Sequence, residues 1–190
     1  LAVDVAHCVS QWGHDFRPDY SRLADIREQL GDPTTIALTA TATQECRRDI
    51  YRQLGIERSD IMLFHEGIDR PNLTLEVREV WGEADKLAAI EECLTNADYG
   101  GGSVIVYFSL IKTLERFSDA LLSRGIDHVC YHGDVPRDRH KRIQNRFMSG
   151  DADVVLATNA FGMGVDKEDI RVVIHAETPG SIESYYQEIG

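Results

Sequence analysis

Short apolar runs rich in β-favouring residues alternate with amphipathic helical patterns along nearly all of the 190 residues, and no other feature limits the possible folds as much. Alternation of this kind predicts βα units wound around a mostly parallel sheet. Residues 1–4 read as the end of a buried strand. Residues 18–30 predict a helix, with Tyr20, Leu23, Ile26 and Leu30 at spacings near three and four. Residues 35–39 form the next expected strand. Thr43 suits the N-cap of a helix that carries Cys46, Ile50 and Leu54 and that Gly55 stops. Residues 61–64 and 73–77 are expected strands, separated by the turn-forming run Asp69-Arg70-Pro71-Asn72.

The second half is more regular. A helix is expected over residues 85–95, then a turn at Gly100-Gly101-Gly102 and a strand over 104–108. Leu110, Leu114, Phe117 and Leu121 mark a helix that Gly125 ends. A strand over 128–131 leads to a helix opened by Pro136. Strands over 154–157 and 172–176 and a helix begun near Ser181 complete the series. Counting units gives two bodies. Residues 1–80 read as the C-terminal part of one, since its first strand begins at the first residue; residues 81–190 read as a nearly whole second one. The expected boundary lies near Val80-Trp81-Gly82.

Composition bounds what such a fold does. A hydrophobic content of 43% supports one large domain or two small ones. No apolar run approaches bilayer-crossing length, and no signal-peptide pattern opens the chain. It opens on Leu1 without a methionine and reads as the interior of something longer. Cys8, Cys46, Cys93 and Cys130 are scattered, a spacing that suits core thiols in a reducing compartment better than a zinc site. The net charge of −12 argues against nucleic-acid binding through bulk electrostatics. Yet Arg137, Arg139, Lys141, Arg142 and Arg146 stand together against the single acid Asp138. That run is either a phosphate-holding face or a solvated helix surface.

Asp4-Val5-Ala6-His7 comes directly after an apolar strand, so Asp4 stands at a strand's C-terminal end, where ligands bind in open α/β sheets. An aspartate there can hold Mg²⁺ on nucleotide phosphates through water. Read alone, it is also an ordinary loop or cap residue. Trp12 and Phe16 are large rings inside a polar stretch, suited to stacking on unpaired bases or to burial beneath their loop.

Together, residues 4–18, from Asp4 through Ser10, Gln11, Trp12, His14, Phe16 and Arg17 to Pro18, closely resemble motif II and the aromatic-rich loop of the RecQ-family, ATP-dependent DNA helicases of superfamily two. That pattern favours nucleic-acid contact for the two rings. The resemblance continues. Leu38-Thr39-Ala40-Thr41-Ala42-Thr43 is similar to motif III, and Ile68-Asp69-Arg70-Pro71-Asn72-Leu73 to the segment between the motor domains, with Ile68 where the family usually has Phe. Ile105-Val106-Tyr107-Phe108-Ser109 resembles motif IV, and Tyr131-His132-Gly133 the strand and turn after it. The run from Ala157 to Lys167, containing Phe161-Gly162-Met163-Gly164, resembles motif V. Tyr185-Tyr186-Gln187-Glu188-Ile189-Gly190 resembles the opening of motif VI, although the Tyr pair also suits core contacts of a last helix.

The resemblance implies two RecA-like parallel-sheet domains, the first truncated at its N-terminus, with ATP and Mg²⁺ held between them and 3′→5′ movement along single-stranded DNA or a duplex junction in DNA repair and recombination. It implies that Asp4 holds the metal through water and that His7 and Gln187 relay nucleotide state. It places Gly164 and Asp166 at the nucleotide, and Ser10, Gln11, Trp12, His14, Phe16, Arg17, Ser109, Thr158 and Asn159 at DNA. The implied setting is the bacterial cytoplasm and nucleoid, or the nucleus in a eukaryote.

Two departures matter. The family's phosphate loop and its arginine fingers fall outside the 190 residues, so this piece alone is expected to lack helicase activity. Val5 stands where the family has the glutamate that activates water, and loss of a positioned base costs roughly 10²–10⁴ in rate. A catalytically silent, ATP-gated DNA-binding protein is therefore one rival reading, and an RNA helicase of the same superfamily is another. A flavodoxin-like or regulatory α/β domain would fit composition but leaves the ordered motifs unexplained.

Overall fold

The computed structural model describes residues 1–9, 18–39, 43–65, 67, 69–96, 101–158, 161, 165 and 167–190. The chain divides into two compact units, Leu1–Thr74 and Leu75–Gly190. That division falls before the expected boundary at residues 80 and 81. The reason is Arg78, whose guanidinium meets Glu76 at 2.7 Å and reaches Glu92 at 3.4 Å, tying the stretch after Thr74 to the second unit.

In the first unit, strand β1 (Ala2–Val3) pairs in parallel with β2 (Ile36–Ala37), Ala2 in register with Ile36. Between them run 3-10 turns at Ala6–Val9 and Pro18–Arg22 and helix α1 (Leu23–Gln29). Helix α2 (Gln44–Leu54) comes after β2. Its start is fixed by the Thr43 hydroxyl, which accepts the Cys46 N–H at 3.2 Å and so satisfies one of the helix's unpaired first-turn donors. Its end is fixed by Gly55 at φ +62°, where a Cβ would also press on Ala24. Val3, Ala6, Val9, Ile50 and Leu54 form the buried core. Residues 61–64 and 73–77, expected as strands, have no strand assigned. Met62, Phe64 and Val77 lie exposed there, and β-favouring side chains alone do not hold a strand without a ladder partner. The turn between them is present, with the Leu73 N–H bonded to the Arg70 carbonyl at 2.9 Å.

The second unit is a four-stranded, fully parallel sheet. In chain order it contains α3 (Gly82–Thr95), β3 (Ser103–Tyr107), α4 (Ile111–Ser123), β4 (Val129–Tyr131), α5 (Arg137–Ser149), β5 (Val154–Ala157), β6 (Ile170–His175) and α6 (Ile182–Glu188). Across the sheet the order is β4-β5-β3-β6. The strands are near-continuous Val/Ile/Leu runs because both faces are covered. Val104, Val106, Phe108, Val154 and Leu156 pack with Ile90 of α3 and Leu114, Phe117 and Leu121 of α4. The alternate residues Ile105, Tyr107, Val155 and Ala157 pack with Phe147 of α5 and with Phe161. Gly102 precedes β3 because any Cβ there would overlap the Asp169 carbonyl oxygen and the Arg171 side chain at the start of β6.

Candidate functional site

In the first unit the chain leaves β1 through a tight reversal. Asp4 is exposed, and one of its carboxylate oxygens accepts the Val5 N–H at 2.8 Å. The Tyr20 hydroxyl donates to the Asp4 carbonyl at 3.0 Å. Val5 has φ +53°, a left-handed conformation in which a β-branched residue is an outlier costing about 1–2 kcal/mol. The turn survives because the next residue is anchored: Ala6 is fully buried and its N–H bonds to the Leu38 carbonyl at 2.9 Å. His7 Nδ1 lies 2.9 Å from the Thr39 hydroxyl, so residues 32 apart in sequence meet. Asp4 and His7 are thereby held near each other at the carboxyl end of β1. Their neighbours Ser10, Gln11, Trp12, His14, Phe16 and Arg17 lie outside the described residues, as does Ile68.

The second unit concentrates polar groups at the carboxyl ends of its strands. After β3 the chain enters α4 on one face of the sheet; after β5 it passes through Phe161 and Val165 on the other. Adjacent strands whose continuations part to opposite faces leave a crevice, the usual ligand position of such sheets. Ser109 and Thr158 come just after the carboxyl ends of the adjacent strands β3 and β5. Ser109 is exposed, and its N–H is fixed by Glu177 Oε2 at 2.7 Å. Lys86 Nζ lies 3.7 Å from the other Glu177 oxygen and partly offsets its charge. Thr158 is buried; its N–H bonds to the Tyr131 carbonyl at 3.1 Å and its carbonyl accepts the Phe161 N–H at 3.1 Å. Phe161 stands edge-on to Tyr131 at 4.9 Å and to Phe147 at 5.4 Å. Aromatic packing thus holds Phe161, and through its N–H the Thr158 carbonyl, in place.

The helicase conserved C-terminal domain family matches residues 85–190. Over the full chain, identity is 43% to the ATP-dependent DNA helicase RecQ of Bacillus subtilis, of which the chain covers 31%. It is 40% to the probable ATP-dependent DNA helicase RecS of the same organism, with 38% covered, and 38% to the ATP-dependent DNA helicase Q1 of Rattus norvegicus, with 30% covered. This chain belongs to the helicase C-terminal domain family and is of the RecQ type. It spans about a third of the length of these relatives. Saccharomyces cerevisiae Dbp5, in a structure bound to RNA and ADP BeF3, superimposes with a TM-score of 0.69 at 20% identity over 99% of this chain and 48% of its own. That likeness shows the RecA-like parallel-sheet fold.

In this RecQ-type chain Gln187 sits half-buried on α6, whose start is capped by the Ser181 hydroxyl accepting the Ser184 N–H at 3.1 Å. The neighbouring Glu188 is nearly buried and meets His175 Nε2 at 2.7 Å. His175 stacks on Tyr107 at 5.4 Å and packs against Tyr185 at 5.1 Å. Burial, aided by the Glu188 charge, pushes the Tyr107 phenol well up. Tyr185, half-buried, makes a ring contact with His175 and belongs to neither core cluster of the second unit. His175, Glu177 and Glu188 escaped the reading of the sequence, because each acquires its role from a partner between 13 and 68 residues away. Asn159, Gly164 and Asp166 lie outside the described residues. The arginines and the lysine of α5 are all exposed, with Arg142 paired to Asp138 at 3.3 Å.

Proposed function

We propose that the protein containing this chain is an ATP-dependent 3′→5′ DNA helicase acting in DNA repair and recombination. The observation that carries the reading is that Ser109 and Thr158 come just after the carboxyl ends of the adjacent strands β3 and β5, in a chain of RecQ type. The Ser109 hydroxyl is exposed beside a backbone position that Glu177 holds fixed, which suits it to a strand phosphate. Exposed Asp4 has one carboxylate oxygen tied to the Val5 amide and the other available to a hydrated cation, so the residues present fit Mg²⁺. Mg²⁺ there would supply positive charge to the phosphate oxygens of ATP. His7, joined to Thr39, and Gln187 transmit nucleotide state within their own units. The setting would be the bacterial cytoplasm and nucleoid, or a nucleus. Among these 190 residues there is no Gly-x-x-x-x-Gly-Lys-Ser/Thr phosphate loop, and by themselves they are expected to turn over no ATP.

A second reading, an ATP-gated DNA-binding protein without hydrolysis, is favoured by Val5, whose hydrocarbon side chain cannot take a proton from water. The test is DNA-stimulated ATP hydrolysis by the full-length protein with Val5 beside Val5→Glu. Turnover raised roughly 10²–10⁴-fold by glutamate supports the helicase frame with a silenced base. Equal, robust turnover in both would place the base elsewhere and refute the assignment at residue 5.

A further inference from the structure

The sequence motifs leave helix α2 without a function, yet one of its faces is unusual for so acidic a chain. Gln44, Arg47, Arg48 and Tyr51 recur at i, i+3, i+4 and i+7 and share a side of the helix. With Arg58 and Leu63 they line a concavity of about 110 Å³. Elsewhere in this unit Arg27 and Arg52 are paired with Asp32 and Asp49. Arg47, Arg48 and Arg58 have no carboxylate partner among the described residues, and the Arg47 Nε is buried without a hydrogen-bond acceptor. Three like charges around one small hollow repel, and a buried donor left unmade costs free energy. A bound anion relieves both.

The chemistry selects a phosphate. Guanidinium forks match its oxygens in bidentate fashion, and the Tyr51 hydroxyl and Gln44 amide add neutral donors. The apolar wall at Leu63 continues along the chain into Phe64 and Met62, exposed by 84% and 78%, an arrangement suited to bases flanking the phosphate. We infer that this hollow holds a backbone phosphate of a DNA strand. The inference rests on the reading of DNA as substrate.

The test uses the full-length protein and labelled single-stranded DNA, with affinity measured across a salt series. Arg48 and Arg58 are exposed, so the double variant Arg48→Ala/Arg58→Ala should fold. The expected result is a salt slope smaller by about 0.7 for one lost single-strand phosphate contact, with affinity at low salt about tenfold weaker on unrelated sequences alike. Arg48→Lys/Arg58→Lys should recover most of the slope. An unchanged slope and affinity in the alanine variant, while the unsubstituted protein binds DNA, overturns this site and leaves the DNA reading standing. Failure of the unsubstituted protein to bind DNA at all sinks the reading and the site with it. Two further outcomes overturn the inference. Loss of thermal protection by inorganic phosphate with DNA binding intact marks a free-anion site. Loss of binding to an Asp/Glu-rich peptide with DNA binding intact marks a protein partner.

Discussion

Phe147 ties helix α5 of the second unit to Phe161 after β5, and its removal has a calculable cost. The ring is fully buried, meets Phe161 edge-on at 5.4 Å and lies 5.5 Å beneath the Lys167 ammonium. Truncation by Phe147→Ala leaves a cavity in a close-packed layer and should cost about 3–5 kcal/mol. Phe147→Leu keeps most of the apolar volume but loses the aromatic and cation–π contacts, for roughly 1–2 kcal/mol. With a urea dependence of about 1–3 kcal/mol per molar, the alanine change should lower the unfolding midpoint by about 1–5 M. The functional consequence runs through Phe161, whose N–H bonds to the Thr158 carbonyl. Phe147→Leu should therefore weaken DNA binding by more than its modest loss of stability, in full-length protein assayed well below its melting temperature. A stability loss under about 1 kcal/mol for Phe147→Ala would show that the ring is not the strut described. DNA affinity unchanged in Phe147→Leu would show that Thr158 and Phe161 are positioned by something else.

Other positions give sharp expectations. Val5→Gly removes a side chain from a left-handed backbone, so it should leave stability unchanged or raise it by up to about 1 kcal/mol, against the loss usual for Val→Gly; a drop in thermal unfolding larger than that would contradict the φ of +53°. His175→Ala strands the nearly buried Glu188 carboxylate and should cost roughly 2–3 kcal/mol, while the double change His175→Phe/Glu188→Leu should recover much of it; equal losses in both by chemical denaturation would refute the pairing. Asp169 is held below the usual carboxylate range, first by its hydrogen bond from Lys167 at 2.6 Å, with Lys167's charge and the Ser103 hydroxyl adding to it. A depressed folded value means stability present above the unfolded pKa of about 3.9 and lost as pH falls through the folded one. Asp169→Asn should therefore flatten the melting-temperature profile below about pH 4, and an unaltered acid limb would deny the interaction.

Where local chemistry decides the outcome, the fold could be read in advance. Thr43 caps α2 and Gly55 ends it because both jobs involve only the nearest turn of backbone. The strands of the second unit were legible for a different reason: a parallel sheet covered on both faces must be built from unbroken apolar runs, and residues 154–157 are such a run. Residues 61–64 look much the same in sequence and form no strand, since a strand also needs a partner that local pattern cannot supply. The candidate site divides along the same line. Asp4 was visible because it comes directly after an apolar run, whereas Ser109 and Thr158 were named only through the resemblance to motifs IV and V. The hold of Glu177 on Ser109, and of Phe147 on Phe161, depends on topology that brings distant segments to one edge of a sheet.

Val5 joins these two levels. Its backbone turn is imposed from outside the residue: Ala6 is buried on one side, its amide bonds to Leu38, and Asp4 binds the Val5 amide on the other. The turn therefore does not require any particular side chain at position 5, and it tolerates the cost of a β-branched one. The placement of Asp4 is thus independent of the group that would activate water. Nucleotide binding and hydrolysis are then separable by a single substitution in the full-length protein. Val5→Glu should change turnover while leaving ATP affinity within about threefold, because the glutamate adds a base without moving the Asp4 carboxylate proposed above to hold the metal. A large change in affinity accompanying any change in turnover would mean that residue 5 shapes the site after all, and that the anchoring by Ala6 and Leu38 is insufficient.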